Sequence, residues 1–133
     1  MKVVILAGGK GTRLAEFTTS IPKPMVPVGS KPILDHIIKY YMKFGFNDFI
    51  IASGYKHSII NNYFRNKKKS LKIEVINTGV ETLTGTRLKK LENKLKGTFM
   101  LTYGDGLSNV NLKKLLNFHK KSKKKITLTA VHP

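Results

Sequence analysis

The chain has 133 residues, enough for one domain with a core of its own, and no cysteine, which excludes disulfides, thiolate metal sites and a cysteine nucleophile. Its 25 Lys and Arg against 7 Asp and Glu leave a formal charge of +18 and point toward an anionic partner. The longest uninterrupted apolar run, Val3 to Ala7, is too short for a signal-peptide core or a membrane span, so the expected setting is cytoplasmic, with no membrane partner.

Lys2 to Ala7 reads as a buried strand that runs straight into Gly8, Gly9 and Gly11. From Pro32, the positions Ile33, Leu34, Ile37, Ile38 and Tyr41 fall on one helical stripe, with the proline in the first turn and Gly45 as the stop. DFIIAS (48–53) predicts a second strand, and Ile59, Ile60, Tyr63 and Phe64 a short helix before a polar loop over 65–70. LKIEVI (71–76) is the third strand, and Leu88, Leu91 and Leu95 stripe a helix that runs up to Gly97. Phe99 to Thr102 is the fourth strand, Leu112, Leu115, Leu116 and His119 stripe another helix, and Ile126 to Val131 predicts a fifth strand. Strands alternating with helices in this way imply an α/β domain with an open, mostly parallel, Rossmann-like sheet and helices on both faces. A chain that stops on a strong strand implies an exposed sheet edge, and hence part of a larger domain.

The charge has its own pattern. Only Arg13, Arg65 and Arg87 are arginines, whereas base-edge readers favour the planar guanidinium. Lysines gather in Lys67-Lys68-Lys69 and between Lys120 and Lys125, with no interleaved aromatics for stacking bases. A solvated lysine-rich surface is the preferred reading, and nucleic acid is not the expected partner. A basic nucleic-acid-binding protein is the non-enzyme alternative.

LAGGKGTRL (6–14) carries the strongest local signal. Glycines after a strand let backbone N–H groups close on an anion. The Walker pattern is absent, and the dinucleotide fingerprint fails because Leu14 stands where a third glycine is needed and Ser53-Gly54 where an acid is. What remains is G-G-x-G-T-R, with Arg13 able to fork onto phosphate oxygens, or simply a glycine turn beside a surface arginine. In Pro22-Lys23-Pro24, two fixed φ angles aim the lysine between them.

Of the seven carboxylates, only Asp105 directly follows a strand and is flanked by glycines, at the sheet end where open α/β folds bind ligands. It is the candidate Mg²⁺ ligand, because magnesium needs one or two carboxylates plus substrate phosphates; a Gly-Asp-Gly turn without a metal is the other reading. His36, His57, His119 and His132 show no metal spacing and read as structural or exposed.

Together LAGGKGTRL, IPKPMVPVGSKPIL (21–34) and YGDG (103–106) resemble the sugar-1-phosphate nucleotidylyltransferases, essentially from Met1 to Pro133. NTGVETLTGTRLKKL (77–91), FMLTYGDG (99–106) and LLNFHK (115–120) look most like the glucose-1-phosphate cytidylyltransferase branch. The resemblance implies a fold of the nucleotide-diphospho-sugar transferase type, and an enzyme that joins CTP and glucose 1-phosphate to give CDP-glucose and pyrophosphate with Mg²⁺. Leu6, Ala7, Gly8, Gly9, Lys10, Gly11, Thr12 and Arg13 would enclose the nucleotide and its phosphates. Lys23 would contact the phosphates at the reacting centre, making Arg13 and Lys23 the catalytic pair. Thr82 and Arg87 would lie at the cytidine end, Gly104 would line the nucleotide, and Asp105 would be the first metal aspartate.

The family is about twice this length. Residues 1–133 are therefore expected to be the nucleotide-binding part of a nucleotidyltransferase domain, without the second metal aspartate and the C-terminal sugar-binding half. The segment between Phe64 and Leu71 is shorter than the cytidylyltransferase pattern, in which an insertion linked to subunit packing is usual. Implied partners are CTP, a sugar 1-phosphate and a second copy in a homo-oligomer. The alternatives are a pyrophosphorylase using UTP, dTTP or GTP, or a nucleotide-binding half without turnover.

Overall fold

The computed structural model describes residues 1–11, 19–65, 67 and 71–130. Four parallel strands form its centre: β1 (Lys2–Ala7), β4 (Asp48–Ser53), β5 (Lys72–Asn77) and β6 (Met100–Tyr103), in the order β5-β4-β1-β6. A two-residue antiparallel hairpin, β2 (Pro27–Val28) with β3 (Lys31–Pro32), stands apart from them. The helices are α1 (Ile33–Lys43), α2 (His57–Arg65), α3 (Thr84–Lys89) and α4 (Leu112–Ser122).

β1 and β4 are apolar along almost their whole length because both faces are covered. On one face Val3, Ile5, Ala7, Phe49, Ile51 and Ile73 pack under Leu34, Ile37 and Ile38 of α1, Ile60 and Phe64 of α2, and Leu112 at the start of α4. On the other, Val4, Leu6, Ile50 and Ala52 meet Leu91, with Leu88 and Leu95 against them. The period of two along each strand thus divides one apolar run between two cores. This is the α/β sheet with helices on both faces that the alternation of elements predicts.

Three expectations change. Pro32 is the N-cap of α1 rather than a residue of its first turn, and it pairs with Pro27 across the hairpin. The stripe Leu88, Leu91, Leu95 is not one helix: α3 ends at Lys89 and a 3₁₀ turn covers Glu92–Lys94, yet all three leucines still reach the same sheet face. Residues 126–130 form no strand. Among the described residues β6 bonds only to β1, its outer edge is not paired by this segment, and Ile126 and Leu128 stay 75% and 84% exposed. Val131 lies outside the described residues.

Parallel strands carry all their carboxyl ends to one edge of the sheet. β1 leads through α1 to β4 and through α2 to β5 on one side of itself, whereas β6 lies on its other side. The strand order therefore reverses beside β1, and open α/β sheets bind ligands at such a switch point.

Candidate functional site

Each of the four parallel strands ends in a glycine-bearing loop: Gly8 after β1, Gly54 after β4, Gly79 after β5 and Gly104 after β6. Three of these loops touch. A Cβ on Gly54 would stand 2.3 Å from the Gly79 carbonyl oxygen and 2.8 Å from that of Gly8, and the Tyr55 N–H donates to Gly8 O at 3.1 Å. Only glycine allows backbones so close.

Arg87 of α3 fastens these loops from below. Its Nη1 donates to Ser53 O (3.1 Å), Thr78 Oγ1 (2.5 Å) and Gly79 O (2.9 Å), and Nη2 donates to Thr82 O (2.8 Å). The residue is 4% exposed, and burial lowers its pKa from the ordinary guanidinium value without discharging it. Thr82 completes the turn by donating from Oγ1 to Thr78 O at 2.6 Å. Thr78 and Ser53, both buried, are parts of this clasp that sequence reasoning missed; the glycines closing three successive strands were the visible signal.

On the other side of β1, two expected site residues meet. Lys23 Nζ lies 2.5 Å from Asp105 Oδ2, with the side chains 31% and 33% exposed. Their neighbours make the contact that sets this up. A Cβ on Gly104 would be 2.9 Å from Pro24 Cγ, and the Gly104 N–H donates to Leu6 O at 2.8 Å. Pro22 is extended, and Lys23–Met25 forms a 3₁₀ turn closed by Met25 N–H to Pro22 O at 2.7 Å.

Lys10, in the loop after β1, reaches Glu81 at 2.5 Å, so the glycine loop is also bridged to the turn after β5. Lys90 Nζ donates to Thr78 O at 2.8 Å on the same side. Leu6 and Ala7 end β1, Gly8 is buried, and Gly9 and Lys10 are exposed. Gly11 takes a positive φ of 66°, which its lack of a Cβ allows. Thr12 and Arg13 lie outside the described residues.

The histidines lie elsewhere in role: His57 Nδ1 is 2.7 Å from Ser53 Oγ, His36 Nε2 is 2.9 Å from Val28 O, and His119 Nδ1 is 2.9 Å from Thr127 Oγ1. No group of three or more His, Cys, Asp or Glu among the described residues is arranged to hold a metal. Asp105 is a hard carboxylate that already holds a cation, the Lys23 ammonium. That donor suits Mg²⁺, which takes one or two carboxylates and completes its shell with phosphates and water.

The chain is similar over its whole length to the glucose-1-phosphate cytidylyltransferase of Salmonella typhimurium, 41% identical, and spans 61% of that protein. The alignment runs over 157 positions, so the relative has residues that this chain lacks. The D-glycero-alpha-D-manno-heptose 1-phosphate guanylyltransferase of Aneurinibacillus thermoaerophilus is 35% identical over 129 residues, covering 96% of this chain and 56% of its own. Among solved structures, HddC from Yersinia pseudotuberculosis complexed with GMP-PN superposes with a TM-score of 0.76 at 30% identity, over 89% of this chain and 53% of that one. The chain thus spans about 60% of the length of the curated relatives it matches. The family model for nucleotidyl transferases matches residues 2–133, and the chain belongs to that family.

Proposed function

We propose that the cleft at the carboxyl ends of β1, β4, β5 and β6 binds CTP with Mg²⁺, and that the protein joins this nucleotide to glucose 1-phosphate, giving CDP-glucose and pyrophosphate in the cytoplasm. The observation that carries the reading is the convergence of Lys23 and Asp105 beside the glycine loop, on a chain 41% identical to a glucose-1-phosphate cytidylyltransferase.

In this reading Leu6 to Gly11, with Thr12 and Arg13, enclose the nucleotide and its phosphates. Gly104 lines it, and Thr82 and Arg87 lie at the cytidine end. The guanidinium N–H groups beyond those that bond Ser53, Thr78, Gly79 and Thr82 would suit cytosine, whose O2 and N3 both accept, whereas uracil and thymine carry N3–H. A sugar-phosphate oxygen attacks the α-phosphorus in line, and the P–O bond to the leaving pyrophosphate breaks. The chain's contribution is positioning and charge: Lys23 neutralises phosphate oxygens at the reacting centre and Arg13 supports the leaving group. Mg²⁺ held by Asp105 would supply Lewis-acid charge neutralisation.

A second reading keeps the chemistry and changes the base. The guanylyltransferase of A. thermoaerophilus aligns over 129 positions, without the extra residues of the cytidylyltransferase alignment, which favours GTP as the competing nucleotide. Pyrophosphate release with glucose 1-phosphate and Mg²⁺, measured with CTP, UTP, dTTP and GTP in turn, decides between them. Fastest release with CTP supports the proposal; fastest release with another nucleotide replaces the base. Nucleotide binding without release assigns the chain to a binding half without turnover.

A further inference from the structure

Lys23 and Asp105 are each next to a residue of the Pro24–Gly104 contact, so the backbone, and not chance rotamers, sets their ion pair. The backbone that carries the carboxylate is held in place: Gly104 is pinned to Leu6 O at 2.8 Å, and Pro24 packs on its Cα. The lysine is the movable partner, with four rotatable bonds beyond its Cα.

We infer that Lys23 and a divalent cation compete for Asp105 Oδ2, so that a cation arriving alone must strip the lysine from its carboxylate, whereas a cation arriving with a triphosphate gives that lysine a new anionic partner. The inference rests on the reading of Asp105 as the metal carboxylate. It adds that Lys23 couples metal and nucleotide binding before any chemistry occurs.

The physical argument is local. An ammonium 2.5 Å from a carboxylate oxygen fills the space that a Mg²⁺ ion at about 2.0–2.1 Å from the same oxygen needs, and the two cations repel. Both side chains are about one-third exposed, so their pairing is screened less than that of a fully exposed pair. Metal alone loses the free energy of that pair. Metal with triphosphate recovers it, because the released ammonium turns to phosphate oxygens in the same cleft. The two ligands then bind with positive coupling, and coupling of this kind is reciprocal.

The test uses Mn²⁺ as the probe, with free ion counted by electron paramagnetic resonance and no sugar phosphate present, so that no turnover enters. The net charge of +18 suppresses scattered divalent binding elsewhere on the chain. Lys23→Met should bind Mn²⁺ alone about two- to tenfold more tightly than wild type. The tightening that CTP confers on Mn²⁺ should shrink by a similar factor of about two to ten, the part owed to direct metal–phosphate coordination remaining. Lys23→Arg, which keeps the cation, should restore wild-type Mn²⁺ affinity and shows that the effect is charge rather than misfolding. Asp105→Asn should remove the site in every background. Unchanged or weaker Mn²⁺ binding by Lys23→Met, with Asp105→Asn still abolishing it, overturns the competition and leaves the metal reading standing. Mn²⁺ binding that survives Asp105→Asn overturns the metal reading, and the competition with it.

Discussion

The guanidinium of Arg87 lies directly against the Cα of Gly8: a Cβ built there would be 1.9 Å from Nη1 and 2.3 Å from Cζ. The first glycine of the loop therefore serves the protein's own interior as well as any ligand. Gly8→Ala must push a buried side chain off carbonyl acceptors that bind it at 2.8–3.1 Å, so we expect a loss of about 2–3 kcal/mol. That corresponds to a fall in Tm of roughly 10 °C for a domain of this size. Gly85→Ala is the contrast. Its Cβ meets nothing within 4 Å, the site is inside α3, and the change should stabilise by about 0.5–1 kcal/mol. Thermal unfolding of the two variants checks both signs; equal Tm values would contradict the packing argument.

Arg87 holds the clasp and, in the proposed function, also meets the cytosine. Arg87→Met leaves Gly79 O and Thr82 O without their donor, while Ser53 O keeps the Thr78 N–H and hydroxyl, and the change should cost about 2–4 kcal/mol. If its donors also read cytosine, the discrimination of CTP over UTP and dTTP falls together with affinity. Calorimetric titration of the three nucleotides against wild type and Arg87→Met reads this, and an unchanged order of affinities would leave only the clasp.

Far from the cleft, acid sensitivity centres on Asp35. Burial alone would raise this carboxyl, but the hydrogen bond and charge of Lys67, with Lys39 and Lys31, outweigh it and hold the pKa below its ordinary value of 3.8. A depressed folded pKa means stability that is present above the ordinary value and lost as the pH falls through the folded one. Lys67→Met removes a partner 2.5 Å away from a side chain only 6% exposed, so the acid-unfolding midpoint should move to higher pH. Stability at pH 7 should fall by about 1–2 kcal/mol, less than for a fully buried pair because Lys67 is itself 37% exposed. Lys89→Met, which breaks the exposed pair with Glu92, should leave the midpoint where it is. Circular dichroism across pH 2–7 distinguishes the two.

How much of this was legible beforehand depended on the range of the physics involved. β1, β4 and α1 follow from local apolar periodicity, because each buries the face that its own sequence marks, and they form where that pattern puts them. The segment 126–130 has an equally strong strand pattern but needs a neighbouring ladder, which no local rule supplies. The same limit applies at the cleft. Lys23 and Asp105 each stood out from their flanking prolines and glycines, yet their pairing across 82 positions depends on Pro24 meeting Gly104. The clasp of Arg87 on Ser53, Thr78, Gly79 and Thr82 has no short-range signature at all, since its acceptors are mostly backbone carbonyls.

The most direct test of the central claim is calorimetric titration of CTP in the presence of Mg²⁺ into the wild-type protein and into Lys23→Ala and Asp105→Asn. The account predicts saturable binding by wild type, weakened about tenfold or more in each variant, as expected for loss of a charged phosphate or metal contact. Saturable binding of equal strength in all three would contradict it, because Lys23 and Asp105 would then stand outside the nucleotide site.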